Sequence, residues 1–167
     1  RWVIRTIPQC YLNGIKPKSI PIPNTIIQWG NMYKYLIIMQ GWSGSGKSSF
    51  AKGCGFHNII SADDYFTDEK GNYNFDESKL DEAHMDCLIR VVKLMQYSDE
   101  NITYVPKIVL DNTNCRPEDI SLYKNKAKQY GYEIVYIRMN GDYEGKAPDT
   151  IIDQQKQDLN KYNYEEN

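Results

Sequence analysis

A glycine-rich loop between an apolar run and a helical segment is the feature that most constrains the fold of this chain. Residues 41–48 read Gly-Trp-Ser-Gly-Ser-Gly-Lys-Ser, which fits the pattern G-x-x-x-x-G-K-[ST]. The preceding residues, 35–40, are apolar and bounded by a glycine, as expected for a buried parallel strand. Because a strand and a helix flank the loop, the pattern predicts a phosphate-binding loop (P-loop).

The residue types of this loop suit a triphosphate. Glycines allow positive φ and let phosphates approach without a Cβ clash, and the loop's backbone N–H groups and the following helix form an anion-binding nest. Lys47 is predicted to reach the β- and γ-phosphates, and Ser48 to offer a hydroxyl to Mg²⁺. We therefore expect ATP or GTP to bind, with Mg²⁺, at Gly41, Trp42, Ser43, Gly44, Ser45, Gly46, Lys47, Ser48 and Ser49.

Strand-like and helix-like segments alternate along the rest of the chain. Strands are predicted at residues 57–61, 107–111 and 133–138, and helices at 77–97, from 117 to a stop at Gly131, and at 148–162. Residues 62–76 are polar, contain the turn signal Gly71-Asn72 and are predicted to be a surface loop. This order predicts the α/β class and a P-loop NTPase fold, with helices flanking a mostly parallel central sheet.

The first 33 residues are predicted to be an irregular N-terminal arm or linker, and residues 34–167 the P-loop domain. Four prolines interrupt the arm, although Trp2 to Ile7 could form a short strand. A chain that begins with Arg1 rather than Met also allows a further domain before it.

Two acidic positions follow predicted strands. Asp111 ends an apolar run, a pattern typical of the carboxylate that holds Mg²⁺ beside a P-loop, although many strands end in Asp. Asp63 follows the strand at 57–61 and is placed to take the proton of an acceptor hydroxyl. A solvated turn or a helix cap explains the pair Asp63-Asp64 equally well.

Composition limits the partners and the compartment. The net charge of −2 and the sequence pI of about 5.7 exclude a strongly basic coat for nucleic acid, but not a local basic groove. No apolar run approaches the ~20 residues that cross a bilayer, so no membrane partner is expected. The four cysteines are scattered without a CxxC pair, which predicts a reducing, cytoplasmic compartment and neither a zinc site nor a disulfide framework.

Five ordered motifs resemble the polynucleotide-kinase-type P-loop domains. These domains include phage 5′-hydroxyl polynucleotide kinase, modules of the Nedd4-binding-protein-2 type and the P-loop module related to cyclic-nucleotide phosphodiesterase. The motifs are G-x-x-G-S-G-K-S, S-x-D-D-Y-F, G-x-Y-x-F, L-x-x-A-H and D-N-T-N, between Tyr35 and Arg138. The resemblance implies ATP- and Mg²⁺-dependent phosphoryl transfer to a 5′-hydroxyl of RNA or DNA.

The resemblance also implies residue roles. Lys47 and Asp63 match catalytic residues, with Asp63 as the general base, and Ser48 and Asp111 match the metal site. Six further residues are implied to shape the substrate side: Asp64, Tyr65, Phe66, Asn112, Thr113 and Asn114.

The sequence departs from this family at two positions. Phe66 stands where the phage kinase has an arginine, and only residues 139–147, with Lys146 as the sole basic residue, stand where the family carries an arginine-bearing lid. Since an arginine at the transferring phosphate contributes on the order of 10³ in rate, a lid without one predicts a slow kinase or a nucleotide binder that does not turn over. A kinase of a nucleoside or sugar and a nucleotide-dependent binding module without turnover stay open as alternatives.

Overall fold

A five-stranded parallel sheet forms the centre of the protein. The computed structural model describes residues 4–7 and 33–162. The strands lie in the spatial order β1-β5-β2-β4-β3, and all four neighbouring pairs are parallel. The predicted parallel sheet is therefore confirmed. Their bounds are Ile4–Ile7 (β1), Lys34–Gln40 (β2), Ile59–Ile60 (β3), Lys107–Leu110 (β4) and Tyr132–Met139 (β5).

Within the described residues, four α-helices flank the sheet or follow it, and two short 3₁₀ helices lie in the segment between β3 and the second α-helix. Side chains alternate along β2, as the pleat of a strand requires. Leu36 and Ile38 pack with the second and third helices, whereas Ile37 and Met39 pack with the first helix on the opposite face. The helices are Lys47–Gly53 (α1), Leu80–Asp99 (α2), Pro117–Gln129 (α3) and Asp149–Lys161 (α4), and the 3₁₀ helices are Ala62–Phe66 and Glu77–Lys79.

Burial of β2 on both faces fixes the position of the loop that follows it. Residues 35–40 of the strand are all buried, and β2 hydrogen-bonds to β4 on one side and β5 on the other. A strand covered by helices on both faces reads as a continuous apolar run, which is why the sequence identifies it clearly. The loop at residues 41–46 thus extends from the most constrained strand of the sheet.

The prediction of a surface loop over residues 62–76 is wrong in its first part. A 3₁₀ helix occupies Ala62–Phe66 because Ser61 caps it: the Ser61 Oγ accepts a hydrogen bond from the Asp63 N–H at 3.2 Å, and Asp64 Oδ2 accepts one from the Ser61 N–H at 3.1 Å. The predicted turn at Gly71 is present, since Gly71 has a φ of +84°.

Other element bounds differ by a few residues. The strand predicted at 57–61 is reduced to Ile59–Ile60, and the long helix begins with a 3₁₀ turn that Asp76 caps through the Ser78 N–H at 3.0 Å. Residues 4–7 of the strand predicted at Trp2 to Ile7 pair with β5, whereas residues 1–3 and 8–32 lie outside the described residues. The division into an arm and a domain stays a prediction.

Candidate functional site

The loop at residues 41–46 curls around the N-terminus of α1. Gly44 has a φ of +84° and Gly46, the residue that caps α1, a φ of +92°, a region of backbone conformation that favours glycine. A Cβ at Gly44 would collide with the carbonyl oxygen of Tyr143. Gly44 is therefore required both by the path of the loop and by the segment packed against it, and Gly46 by the path of the loop.

Lys47 is buried beneath this loop. Its Nζ donates hydrogen bonds to the carbonyl oxygens of Gly41 at 3.0 Å and Trp42 at 2.9 Å. Burial lowers the pKa of Lys47, and the charges of Asp111 and Asp63 partly offset this effect. The ammonium group is thus held at the loop by uncharged carbonyls, which is suitable for a cation that receives an anionic ligand.

Ser48 and Asp111 form a pair that fits Mg²⁺. Asp111 is buried at the end of β4, and its Oδ1 has no hydrogen-bond partner. Burial raises the pKa of Asp111, and the nearby Ser48 side chain lowers this pKa by a smaller amount. A carboxylate oxygen left without a partner next to a hydroxyl is a suitable ligand set for Mg²⁺, which takes few protein ligands and keeps several waters. Within the described ranges, no group of three or more His, Cys, Asp or Glu residues could form an all-protein metal site.

Asp63 lies on the first 3₁₀ helix and faces the same site. Its charge raises the pKa of both Lys47 and Asp111, so the three groups are close enough to interact. Asp63 Oδ1 accepts a hydrogen bond from the Tyr73 hydroxyl at 3.3 Å, and Oδ2 pairs with Lys146 Nζ at 3.3 Å. Its side chain is 54% exposed, which leaves room for an approaching acceptor.

Arg90 fixes the 3₁₀ helix that carries Asp63. From α2 it donates to the Ser61 carbonyl oxygen at 2.6 Å, to Asp64 Oδ2 at 2.8 Å and to Asp86 Oδ2 at 2.8 Å. The sequence analysis missed this residue because Arg90 sits on the charged face of a helix. Its spacing of four residues from Asp86 was the only local signal.

The six residues predicted to lie on the substrate side make hydrogen bonds or packing contacts with other parts of the protein. Asp64 is bound by Arg90, and Phe66 is buried among aromatic rings. The Tyr65 hydroxyl donates to Glu82 at 2.7 Å. The remaining three lie after β4: the Asn112 Oδ1 accepts from the Ala62 N–H at 2.8 Å, the Thr113 carbonyl oxygen accepts from the Gly41 N–H at 3.1 Å, and the Asn114 Nδ2 donates to the Met39 carbonyl oxygen at 2.7 Å.

The segment from residue 140 to 147, which follows β5, lies along the loop. The backbone N–H of Gly141 donates to the Ser45 carbonyl oxygen at 3.2 Å, and that of Tyr143 donates to the Gly44 carbonyl oxygen at 3.0 Å. The Lys146 N–H donates to Ser43 Oγ at 3.0 Å. Together with Met139, this stretch stands where the resembling family carries its lid, and its hydrogen bonds attach it directly to the loop.

Helix α4 completes the surroundings of the loop. Gln155 Oε1 accepts a hydrogen bond from the Ser43 N–H at 2.9 Å, and Lys156 Nζ lies 5.0 Å from the centre of the Trp42 ring. Trp42 therefore contacts a helix of the same chain. The arginines nearest to the lid in sequence are engaged elsewhere, Arg116 with Asp119 at 2.9 Å and Arg138 with the Tyr162 carbonyl oxygen at 3.5 Å.

Comparison with known families agrees with this loop geometry. A family model described as an AAA domain matches residues 36–144, which is more than half of the chain. The chain belongs to the AAA domain family. The matched range of this AAA domain begins in β2 and ends within the segment at 140–147, and it includes the loop, Asp63 and Asp111.

Three solved structures are similar to this AAA domain. A candidate kinase of Chloroflexus aurantiacus shares 15% identity at a TM-score of 0.45, and the match covers 64% of this chain and 59% of that protein's length. A variant of Mycobacterium tuberculosis APS kinase shares 18% identity at a TM-score of 0.40, and the same enzyme in complex with AMPPNP and APS shares 14% at 0.38. Each of these two matches covers 78% of this chain and 99% of the other.

No helix within the described residues has both the length and the apolar character needed to span a bilayer.

Proposed function

We propose that this P-loop domain is a kinase that transfers the γ-phosphate of ATP, with Mg²⁺, to a hydroxyl group. The observation that supports this best is the proximity of an exposed carboxylate, Asp63, to the buried Lys47 and Asp111. A domain that only binds nucleotide has no need of a solvent-accessible carboxylate at that place, whereas a kinase needs one beside the transferring phosphate.

In this proposal, each side chain has one task. The loop amides and Lys47 bind the β- and γ-phosphates, and Ser48 and Asp111 would hold Mg²⁺. Mg²⁺, when bound, supplies positive charge to the phosphate oxygens. Asp63 accepts the proton of the acceptor hydroxyl while the hydroxyl oxygen attacks the γ-phosphorus, and ADP leaves. Arg90 holds the helix of Asp63 in position through Ser61 and Asp64.

A 5′-hydroxyl of RNA or DNA is the acceptor that the motif resemblance favours. Exposed aromatic rings next to Asp63 support it, because bases stack on such rings. Tyr73 and Phe75 are stacked with their ring centres 6.5 Å apart, and Phe75 is 54% exposed. Unpaired bases at the end of a strand would find a stacking surface there.

A small uncharged acceptor, such as a nucleoside or a sugar, is the second candidate. The observation that favours it is local charge: residues 62–90, which flank Asp63, contain nine acidic and three basic residues. Nucleic-acid binding relies on Lys and Arg contacts to phosphates. An acidic surface repels the phosphates of a nucleic acid. A small neutral alcohol would not experience this repulsion.

The experiment that tests the proposal is transfer from γ-labelled ATP with Mg²⁺. The acceptors are 5′-hydroxyl RNA and DNA oligonucleotides, and in parallel a panel of nucleosides and sugars. Lys47→Ala and Asp63→Asn should abolish transfer, whereas Glu69→Gln, which neutralises an exposed carboxylate of the same segment, should leave it unchanged.

The pattern of labelled products separates the candidates. Labelled oligonucleotides support the polynucleotide acceptor, and labelled small molecules alone support the second candidate. If ATP binds and Lys47→Ala abolishes binding, yet no acceptor is labelled, the kinase proposal is wrong and the domain is a nucleotide-dependent binding module.

A further inference from the structure

Lys146 connects the P-loop with Asp63. Its backbone N–H and that of Ala147 both donate to Ser43 Oγ, at 3.0 and 3.3 Å, so the main chain at this point is attached to the P-loop. Its side chain extends in the other direction, with Nζ 3.3 Å from Asp63 Oδ2 and 4.1 Å from the centre of the Tyr73 ring. The residue therefore has a backbone bound to the loop and a side chain that is 63% exposed.

The other cations near the loop are held in different ways. Lys47 is buried and bound to loop carbonyls, Arg116 is paired with Asp119, and Lys156 lies over the Trp42 ring and pairs with Asp142 at 3.6 Å. Lys146, in contrast, is paired with the carboxylate that the proposed reaction requires as a base. It is a cation on the surface of the site, and it can exchange its partner without a change in the fold.

The pairing conflicts with the proposed role of Asp63. Both carboxylate oxygens have partners, the Tyr73 hydroxyl on Oδ1 and Lys146 on Oδ2, so an acceptor hydroxyl must share Asp63 with them. Ion pairs between exposed side chains are weak. A phosphate group that carries more than one negative charge attracts an ammonium group more strongly than a single exposed carboxylate does.

We propose that Lys146 is a phosphate-binding residue that neutralises Asp63 in the free protein and moves to the γ-phosphate when ATP binds. The inference rests on the proposed function of the loop and of Asp63. Its consequence is an order of events: the γ-phosphate withdraws Lys146, and Asp63 becomes free for the acceptor hydroxyl. ADP, which lacks the γ-phosphate, leaves the pair of Lys146 and Asp63 intact.

Binding measurements test this without turnover. The dissociation constants of AMPPNP and ADP, each with Mg²⁺, are measured by calorimetry for the wild type, Lys146→Ala, Lys146→Arg and the control Lys128→Ala, an exposed lysine of α3. Loss of one charge-assisted hydrogen bond should weaken AMPPNP binding of Lys146→Ala by about tenfold or more. The ADP affinity of that variant should change by less than about threefold, and Lys146→Arg should restore AMPPNP binding because the charge is kept.

A second variant tests the exchange itself. Asp63→Asn removes the competing carboxylate, so AMPPNP should bind this variant more tightly than the wild type. In a Lys146→Ala background, the same Asp63→Asn substitution should have a smaller effect.

Several results would overturn the inference. One is equal weakening of ADP and AMPPNP by Lys146→Ala, which would mean that the residue only holds the segment at 140–147. Another is an unchanged AMPPNP affinity, and a third is an Asp63→Asn effect that does not depend on Lys146. Because no readout uses transfer, these results are separate from failure of the kinase proposal, in which binding persists and no acceptor is labelled.

Discussion

Arg90 offers the sharpest test of how the candidate base is held in position. Its guanidinium makes three charge-assisted hydrogen bonds, of 2.6 Å to Ser61 and 2.8 Å to both Asp64 and Asp86. Arg90→Met keeps much of the aliphatic stem but removes every donor. We expect the loss to concern the 3₁₀ helix Ala62–Phe66, which then loses the Arg90 bonds to α2 and keeps the bond of Tyr65 to Glu82.

The size of the effect can be worked from exposure. Hydrogen bonds to charged groups contribute about 1.5–3 kcal/mol each when shielded. The Arg90 side chain is 30% exposed, but Asp64 and Asp86 are 52% and 41% exposed, so their pairs count for much less. The total for Arg90→Met is then about 2 kcal/mol. For a protein of this size, this corresponds to a fall in Tm of roughly 4–8 °C.

The assay is urea denaturation, combined with AMPPNP binding and the transfer rate. The control is Arg116→Met: the Arg116 side chain is 56% exposed and its bond to Asp119 joins the N-cap of α3 to the first turn of that helix, so the change should cost at most about 0.5 kcal/mol. We expect Arg90→Met to lower the transfer rate far more than the AMPPNP affinity, because Arg90 holds Asp63 but not the loop. Equal losses of stability in both variants, or a collapse of AMPPNP binding with the rate per bound complex unchanged, would refute this reasoning.

Two further predictions concern the loop and the metal site. Because burial raises the pKa of Asp111, the folded protein binds the proton of this carboxyl group more tightly than the unfolded chain does. The free energy of unfolding therefore falls as pH rises through the raised pKa. Asp111→Asn should therefore raise the free protein's stability at pH 7 by about 1 kcal/mol while it weakens Mg²⁺-dependent ATP binding. In urea titrations, the difference in stability between Asp111→Asn and the wild type should become smaller towards acidic pH. A difference that grows there would contradict a raised pKa of Asp111. Alanine at Gly44, where φ is positive and a Cβ collides, should abolish AMPPNP binding. Alanine at Gly55, where only φ is unfavourable, should lower the free energy of unfolding by about 1 kcal/mol and leave AMPPNP binding intact. Alanine at Gly53, where neither problem exists, should lower neither quantity. Similar calorimetric affinities for all three variants would disprove the argument.

The sequence predicted the central strands and the loop because their signals are local. Each of these signals lies within a few residues of the strand or helix that it indicates. They are the apolar run before Gly41, the acid after β4 and the glycine at residue 131, where φ is +69°. Such signals depend on burial of both faces of a parallel strand and on the φ that only glycine adopts easily. The predicted helices at 117–130 and 148–162 are confirmed within one or two residues for the same reason.

The supports of the candidate base could not be predicted, because they are distant in the chain. Arg90 reaches Ser61 across 29 residues, and Lys146 reaches Asp63 across 83. No periodicity or motif connects such pairs, and both cations resemble solvated surface residues in the sequence. The 3₁₀ helix at Ala62–Phe66 was missed because it depends on the reciprocal bonds of Ser61 and Asp64 rather than on an apolar face. The arm at residues 1–33, a domain before it and a cytoplasmic location stay predictions.

The contrast between β2 and the segment at 140–147 has a consequence for the time scales of this protein. The strand is buried on both faces, so its amide hydrogens should exchange with solvent only when the whole domain unfolds. The segment is largely exposed and is attached to the loop by a few hydrogen bonds, so its amides at Tyr143 and Lys146 should exchange through small local openings. A ligand that bridges the two would slow exchange in the segment by orders of magnitude and leave the strand unchanged. Strand β2 therefore acts as a fixed support, whereas amide exchange in the segment at 140–147 reports whether a ligand is bound.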